Sequence, residues 1–220
     1  MKKFKVNDNK SEEHEINYRQ FNKKLELLNQ ILSLISDINQ ASDEKEVKDC
    51  IPALLQYTGE YTDADRVYIF ELMSEKQDYY SNTFEWCREG IVPQIDNLIR
   101  ISANSMPVWH EKFLRGETII IHDLEKICET MPSEYDILKV QDIHSLLVLP
   151  LFANTQLSGF IGLDNPELVN PGVSISLLSN AGGHLASTLN NLRMFRMLEE
   201  KQKTLESNLE ELQKEKHGRL

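Results

Sequence analysis

Residues 145–166 read SLLVLPLFANTQLSGFIGLDNP, and their pattern predicts how the rest of the chain is arranged. Two apolar segments of strand length flank the polar residues 153–156, which is typical of an antiparallel hairpin. Because successive residues of both strands are apolar, both faces of the hairpin must be covered. We expect long helices to cover one face. The segment between the outer strands would cover the other face and leave room for a cavity.

The residues before this hairpin predict a helix and further strands. Asp43 and Glu46 have the spacing of a capping box, which indicates a helix that begins after Asp43. Residues 66–72 and 79–87 are rich in β-branched and aromatic side chains and predict two strands. Residues 118–122, TIIIH, predict a short additional strand. A helix and two strands therefore come first, and the hairpin closes the sheet.

The order of elements in residues 43–87, the hairpin and its ending Gly162-Leu163-Asp164-Asn165-Pro166 together resemble a GAF domain. The resemblance covers residues 43–192. It implies an α+β fold with a six-stranded antiparallel sheet and with the N- and C-terminal helices packed on one face. On the other face, the helices and loops of residues 91–140 would form a roof over a pocket.

Apolar stripes at helical spacing predict long helices at both ends of the chain. The N-terminal helix carries two adjacent stripes, and the second of them consists of Leu27, Ile31, Leu34 and Ile38. A helix with two such stripes needs two partners, and we expect its own domain and a second copy of the chain to supply them. The predicted dimer interface comprises Phe21, Leu25, Leu28, Leu32, Ile35, Leu198, Leu205, Leu209 and Leu212.

These patterns divide the chain into consecutive segments. Residues 1–12 are polar and expected to be disordered, and residues 13–41 form a signalling and dimerisation helix. Residues 43–192 form the GAF domain, and residues 193–220 continue as a coiled-coil linker helix. Parallel pairing of these helices in a homodimer would bring both C-termini to the same end.

The overall composition argues against two classes of partner and indicates a compartment. A net charge of −11 argues against binding to nucleic acid or to anionic membrane surfaces. No apolar run approaches the ~18 residues of a membrane span. The odd number of cysteines, 3, without a signal peptide is typical of a reducing cytoplasm, so we expect a cytoplasmic protein.

Sequence motifs for a known cofactor are missing. Bilin-binding relatives of the GAF family carry a cysteine followed by a histidine, and this chain has no such pair. The cyclic-nucleotide signature Asn-Lys-x-x-x-Phe-x-x-x-Asp-Glu is absent, as is the H-x-x-x-H spacing of many metal sites. The cofactor is therefore left unknown, with no covalent bilin, haem or metal signature.

The resemblance also indicates which residues would line a pocket. The predicted ligand-binding residues are Tyr68, Phe70, Phe84, Trp86, Trp109, Ile121 and Leu147. Apolar pockets with a few polar groups suit small ligands. The alternative is that these side chains simply fill the core. Cys50, Cys87 and Cys128 are expected to be structural rather than catalytic.

We therefore expect a bacterial sensory GAF domain that binds a small molecule or mediates dimerisation. It would pass a signal through its C-terminal helix to an output domain outside this chain, for which the resemblance suggests a diguanylate cyclase. No catalysis is expected from the chain itself. Two alternatives stay open. One is a cysteine-dependent GAF enzyme such as a free methionine sulfoxide reductase, and the other is a ligand-free structural dimerisation module.

Overall fold

The computed structural model describes residues 5–74, 78–168 and 171–217. Among these residues, the chain begins with a long helix that starts at Lys5, earlier than the predicted start at residue 13. Short 3-10 turns occupy residues 103–105, 124–127 and 139–141. The helices and strands are α1 (Lys5–Gln40), α2 (Glu44–Thr62), β1 (Arg66–Ser74), β2 (Asp78–Cys87), β3 (Ile101–Ser102), α3 (Pro107–Leu114), β4 (Ile119–Ile121), α4 (Pro132–Leu138), β5 (Leu146–Ala153), β6 (Gln156–Asp164) and α5 (Pro171–His217).

The strands of the described residues form one six-stranded sheet in the order β3-β2-β1-β6-β5-β4, with antiparallel pairing throughout. The predicted hairpin is confirmed as β5 and β6, which pair from Leu146 opposite Asp164 to Ala153 opposite Gln156. Asn154 makes the turn at φ 57°, a left-handed conformation that asparagine tolerates better than most residues. The predicted α+β architecture is therefore confirmed.

Each face of the sheet has its own apolar core. The helix-side core joins α1, α2 and α5 to the sheet, and the roof-side core joins the sheet to α3, α4 and the loops around them. Strand β5 serves both, since Leu147 and Leu149 belong to the helix-side core while Leu146 and Val148 belong to the roof-side core. This alternation confirms that the hairpin is covered on both faces.

The N-terminus of α2 has the predicted cap, with one change of partner. The carboxylate of Asp43 accepts a hydrogen bond of 2.9 Å from the backbone N–H of Glu46. The carboxylate of Glu46 accepts from the backbone N–H of Ser42 at 2.7 Å and from its hydroxyl at 3.0 Å. The reciprocal bond of the capping box therefore goes to Ser42 rather than to Asp43.

A β-bulge in β2 sets which side chains face each core. Ile69 lies opposite Phe84, but the next residue, Phe70, lies opposite Asn82, so one extra residue is inserted into β2. A shift of one residue moves every following side chain to the other face. Phe84 therefore contacts the helix-side core, whereas Tyr80 is fully buried in the roof-side core.

The family-like ending of the hairpin ties three loops together. Asn165 adopts a left-handed conformation with φ 49°. Its side-chain oxygen accepts hydrogen bonds from the backbone N–H groups of His144 at 2.7 Å and Ser145 at 3.1 Å. Its amide nitrogen donates to a carboxylate oxygen of Asp65 at 2.9 Å and to the carbonyl of Asp142 at 3.1 Å. This asparagine therefore has a structural role.

Helices α1 and α5 lie side by side and run in the same direction. Lys24 in α1 makes a 3.0 Å ion pair with Glu167, just before α5 begins. Near the other end, Arg196 of α5 lies 3.1 Å from Glu44, which follows the end of α1. Residues of α1 before Lys24 and residues of α5 after Arg196 thus extend beyond opposite ends of the domain.

The N-terminal helix uses its two apolar stripes differently. Leu27, Ile31 and Ile38 of the second stripe are buried in the domain, as expected. The first stripe consists of Tyr18, Phe21, Leu25, Leu28, Leu32 and Ile35. It is mainly open to solvent, with Tyr18 66%, Phe21 64%, Leu25 47% and Leu32 53% exposed. One predicted interface residue is corrected here, because Ile35 is buried in the helix-side core. Leu28 is partly buried and packs against the same core.

Candidate functional site

A small cavity lies between the sheet and the roof. Its volume is about 40 Å³, room for about three water molecules. It is therefore much smaller than the ~300–1,000 Å³ of a typical pocket for a drug-sized ligand. The lining residues come from β1, β2, β3, β6, the roof helices and the loops between them: Arg66, Tyr68, Phe70, Glu85, Leu98, Ile101, Met106, Trp109, Ile137, Leu138, Gln141, Ile143, Phe160 and Asp164.

Phe160 of β6 lies at the centre of an aromatic cluster that fills the roof-side core. Its ring stacks on Phe70 at 4.6 Å and on Phe113 at 5.0 Å between centroids. The rings of Tyr80 and Trp109 approach it edge-on, at 5.1 Å and 6.2 Å. Such edge-to-face and offset arrangements are favoured by the ring quadrupoles. The cavity lies beside this packed cluster.

A buried ion pair closes one end of the cavity. Arg66 at the start of β1 and Asp164 at the end of β6 are opposite each other in the sheet, and their side chains meet at 2.7 Å. The Tyr68 hydroxyl donates a 3.0 Å hydrogen bond to the other oxygen of Asp164. Glu85 lies 3.6 Å from the Nε of Arg66. All three charged side chains are almost fully buried.

The same charged residues hold the loop that follows β2. A terminal nitrogen of Arg66 donates to the carbonyl of Val92 at 3.0 Å. A carboxylate oxygen of Glu85 accepts from the backbone N–H groups of Gln94 at 2.8 Å and Ile95 at 3.1 Å. Loop residues 92–95 are thereby fixed against the cavity wall by buried, charge-assisted bonds.

A larger crevice adjoins the cavity at this end. It has a volume of about 610 Å³ and shares Arg66, Gln141, Ile143 and Asp164 with the cavity as lining residues. These shared side chains form the wall between the two spaces.

Burial alters the acid–base chemistry of the ion pair. Burial raises the pKa of Asp164 to about 6, although the guanidinium of Arg66 and the hydroxyl of Tyr68 act in the opposite direction. The pKa of Tyr68 is raised well above 10, first by burial and then by the adjacent Asp164 carboxylate. Tyr68 therefore stays a hydrogen-bond donor at neutral pH, and Asp164 titrates just below neutrality.

This raised pKa predicts how stability changes with pH. Since native Asp164 has a pKa of about 6, above its usual 3.8, its contribution to the unfolding free energy is greatest below about pH 4. That contribution falls by about 2–3 kcal/mol as the pH rises through 6. Urea unfolding of wild type and Asp164→Asn at about pH 4.5 and pH 7.5 isolates the contribution of Asp164. The wild type should be more stable relative to the variant at the lower pH than at the higher pH. A relative gain at the higher pH would show that Arg66 lowers this pKa instead.

Trp109 reaches the cavity from helix α3. Glu134 of α4 fixes the start of this helix, because its carboxylate accepts from the backbone N–H groups of Val108 at 2.8 Å and Trp109 at 3.1 Å. The Trp109 side chain is only 3% exposed. Its indole Nε1 is buried and has no hydrogen-bond partner among the described residues. Trp109 therefore carries a donor that none of the described residues satisfies.

The predicted site residues divide between the two faces of the sheet. Tyr68, Phe70, Trp109 and Ile121 belong to the roof-side core, and the first three line the cavity. The remaining predictions require correction, since they belong to or pack against the helix-side core: Phe84, Trp86 and Leu147.

The position of Trp86 is defined by its contact with helix α2. A Cβ atom added at Gly59 would lie 2.0 Å from the Trp86 ring, so a glycine is required where the ring meets the helix. Trp86 and Trp109 are therefore on opposite sides of the sheet and cannot contact one ligand. Strand alternation in residues 156–164 could have identified Phe160 as a residue of the roof-side face. The pairing of Arg66 with Asp164 has no local signal in the sequence.

The described residues include three cysteines, two of them partly buried, and several residue types that can bind metals. Burial raises the thiol pKa of Cys50 and of Cys87, which disfavours the nucleophilic thiolate. Within the same part of the chain, His, Cys, Asp and Glu form no group able to hold a metal ion. Across these residues, no helix combines the length and apolar character needed to cross a bilayer.

Comparisons with known proteins agree with this architecture. The methanogenesis regulatory histidine kinase FilI of Methanothrix harundinacea (strain 6Ac) is 32% identical over 148 residues, which make up 64% of this chain and 16% of that protein. The chain thus spans a small part of the length of this relative. A family model of the GAF domain matches residues 46–175.

Two solved structures show how closely the fold is shared. The phycocyanobilin-bound GAF domain of a cyanobacterial phytochrome has a TM-score of 0.61 and 15% identity, covering 76% of this chain and 96% of that one. The blue-light absorbing form of the Thermosynechococcus elongatus PixJ GAF domain has a TM-score of 0.56 and 18% identity, covering 76% of this chain and 98% of that one. At these identities the similarity concerns the fold. The family model matches more than half of the residues of this chain, and the chain therefore belongs to the GAF domain family.

Proposed function

We propose that this GAF sensory domain binds a small molecule in the roof-side cavity and passes the signal to α5 through the sheet. The observation that carries the proposal is that single strands contribute to both cores. Phe160 of β6 lines the cavity, while its neighbour Ile161 lies in the helix-side core. Interiors are close-packed, so a change in the position of β6 on one face must alter packing on the other.

Helix α5 is in direct contact with these strands. Gly182 of α5 approaches so closely that an added Cβ atom would lie 2.5 Å from Leu151 and 3.3 Å from Ile161. Further along the helix, Arg193 makes a 2.8 Å ion pair with Glu71 of β1. Arg196 lies 3.1 Å from the carboxylate of Glu44, the first residue of α2. The strands and α2 therefore hold α5 where it leaves the domain.

We also propose that the chain is a parallel homodimer through α1 and α5. Large apolar side chains are exposed on the parts of both helices that extend beyond the domain, among them Tyr18 and Phe21 on α1 and Leu198 and Leu205 on α5. Burial against the same residues of a second copy would remove all of them from water. The side chains of Leu209 and Leu212, predicted to continue this interface, lie outside the described residues.

The dimer is tested by placing charge on α5. Leu198 and Leu205 are 59% and 63% exposed, so Leu198→Asp with Leu205→Asp leaves the domain core untouched. Each buried leucine contributes about 1.5–3 kcal/mol, so the double variant should dissociate at least about tenfold more readily. Sedimentation equilibrium measures this, with Lys201→Gln and Lys203→Gln as a control that changes the net charge by the same amount at other positions of the helix. A wild-type chain that is monomeric at tens of micromolar would overturn the dimer.

The output domain is proposed from the relatives. The 32% identical relative is a histidine kinase, which favours a histidine kinase over the diguanylate cyclase expected from the sequence. Parallel α5 helices would deliver the signal to the two subunits of such an enzyme symmetrically. The chain itself is proposed to be non-catalytic and cytoplasmic. The raised thiol pKa values of Cys50 and Cys87 support the first point, because they disfavour the reductase alternative.

A further inference from the structure

We propose that the roof-side cavity selects a small uncharged molecule that carries a hydrogen-bond acceptor, such as an amide or carbonyl oxygen. This inference rests on the proposed function, in which the cavity is the sensory pocket. Three properties of the cavity support it: its volume, the unpaired donors in its wall and the balance of buried charge around it.

The volume limits the ligand to a few atoms. The cavity of about 40 Å³ has room for about three waters, which corresponds to a ligand of three or four non-hydrogen atoms. The stacked rings of Phe70, Phe113 and Phe160 occupy the neighbouring space at centroid distances of 4.6 and 5.0 Å. A tetrapyrrole or a nucleotide would require this aromatic cluster to be taken apart.

Two residues of the cavity wall carry buried donors that no described residue satisfies. Among the described residues, the buried Nε1 of Trp109 and the buried Nε of Arg66 have no hydrogen-bond partner. The Nε of Arg66 lies 3.6 Å from Glu85, an ion pair too long for a hydrogen bond. The unpaired buried acceptors of the same part of the chain belong to Asn82 and Glu134, and neither residue lines the cavity. A ligand that supplies an acceptor would satisfy a donor that is costly to leave unpaired.

The buried charge argues against an anion, and the unpaired donors argue against a cation. The side chains of Glu85 and Asp164 are each 2% exposed, and Arg66 is the one cationic side chain among the described lining residues. An anion would lie near two carboxylates in a poorly hydrated space, which is unfavourable. A cation such as an ammonium or amidinium group has no acceptor to offer to Trp109. An uncharged acceptor avoids both costs.

Three isosteric probes separate these possibilities. Acetamide, acetate and acetamidinium have the same shape and four non-hydrogen atoms each, but they are neutral, anionic and cationic. The indole N–H signals of the two tryptophans are followed by nitrogen-15 NMR in the full chain, and Trp109→Phe assigns them. We expect acetamide to shift the Trp109 signal saturably, with acetate and acetamidinium binding at least about tenfold more weakly. The Trp86 signal, from the opposite face of the sheet, is the internal control.

The outcomes distinguish the ligand class from the proposed function. Tighter binding of acetate or acetamidinium would overturn the neutral class and leave a sensory pocket beneath the roof. A Trp109 signal unmoved by all three probes would also overturn the class. Equal shifts of the Trp86 and Trp109 signals would indicate nonspecific binding and count against the cavity as the site. The proposed coupling to α5 would fail separately, if filling the cavity by mutation left α5 unmoved.

Discussion

Truncation of Phe160 to alanine is expected to lower the free energy of unfolding by about 3–5 kcal/mol. Phe160 is 2% exposed and contacts both the cavity and the aromatic cluster of the roof-side core. Its loss removes stacked contacts with Phe70 and Phe113 and leaves a hole next to the existing cavity. The surrounding rings are held by the sheet and by α3, so they can close this space only in part. Urea unfolding followed by circular dichroism measures the change.

The matched control is Phe195→Ala on α5. Phe195 is 66% exposed, so the same truncation should change the unfolding free energy by less than about 0.5 kcal/mol. Equal losses for the two variants would contradict the account, because Phe160 would then not be the centre of a packed core.

Replacement of Arg66 by leucine is expected to cost about 3–5 kcal/mol of stability. The guanidinium is the buried partner of Asp164 at 2.7 Å and lies 3.6 Å from Glu85. Without it, two carboxylates with 2% exposed side chains would lie close together in a poorly hydrated space. The loop bond from Arg66 to the carbonyl of Val92 would be lost as well. Adding Asp164→Asn to the leucine variant should restore part of the stability, since it removes one unpaired charge.

Arg88→Leu is the control for this substitution. Arg88 also makes a 2.7 Å ion pair, with Asp63, but the two side chains are 40% and 64% exposed. A pair in contact with water contributes about 0–1 kcal/mol. If Arg66→Leu were as mild as Arg88→Leu, the buried cluster would not be what holds β1, β6 and the loop of residues 92–95 together.

The sequence was sufficient to predict the sheet and its two covers. Residues Leu146 to Leu149 are all apolar, and successive side chains of a strand point to opposite faces, so both faces of β5 must be buried. This pattern depends on local residues alone. The placement of Trp86 in the pocket was wrong for an equally local reason. A single inserted residue in β2 changes which face a side chain occupies, and hydrophobic pattern alone does not locate a bulge.

The candidate site was less predictable because its polar part is formed by distant residues. Arg66 and Asp164 are far apart in sequence, and their pairing depends on the antiparallel register of β1 and β6. Arginine and aspartate are usually exposed, so each alone predicts a surface residue. The unpaired indole nitrogen of Trp109 likewise results from the tertiary packing of α3 against α4.

The central claim is that the state of the roof-side cavity sets the geometry of paired α5 helices. The most direct measurement is the distance between spin labels at the exposed position Lys203 of the two protomers, with the native cysteines replaced by serine. Leu138→Phe fills the cavity from α4, and Leu114→Phe, on the exposed side of α3, is the control. We predict that Leu138→Phe shifts the mean distance by about 1–2 Å or more and that the control does not. Identical distances in wild type and Leu138→Phe, or no coupling between labels, would contradict the account.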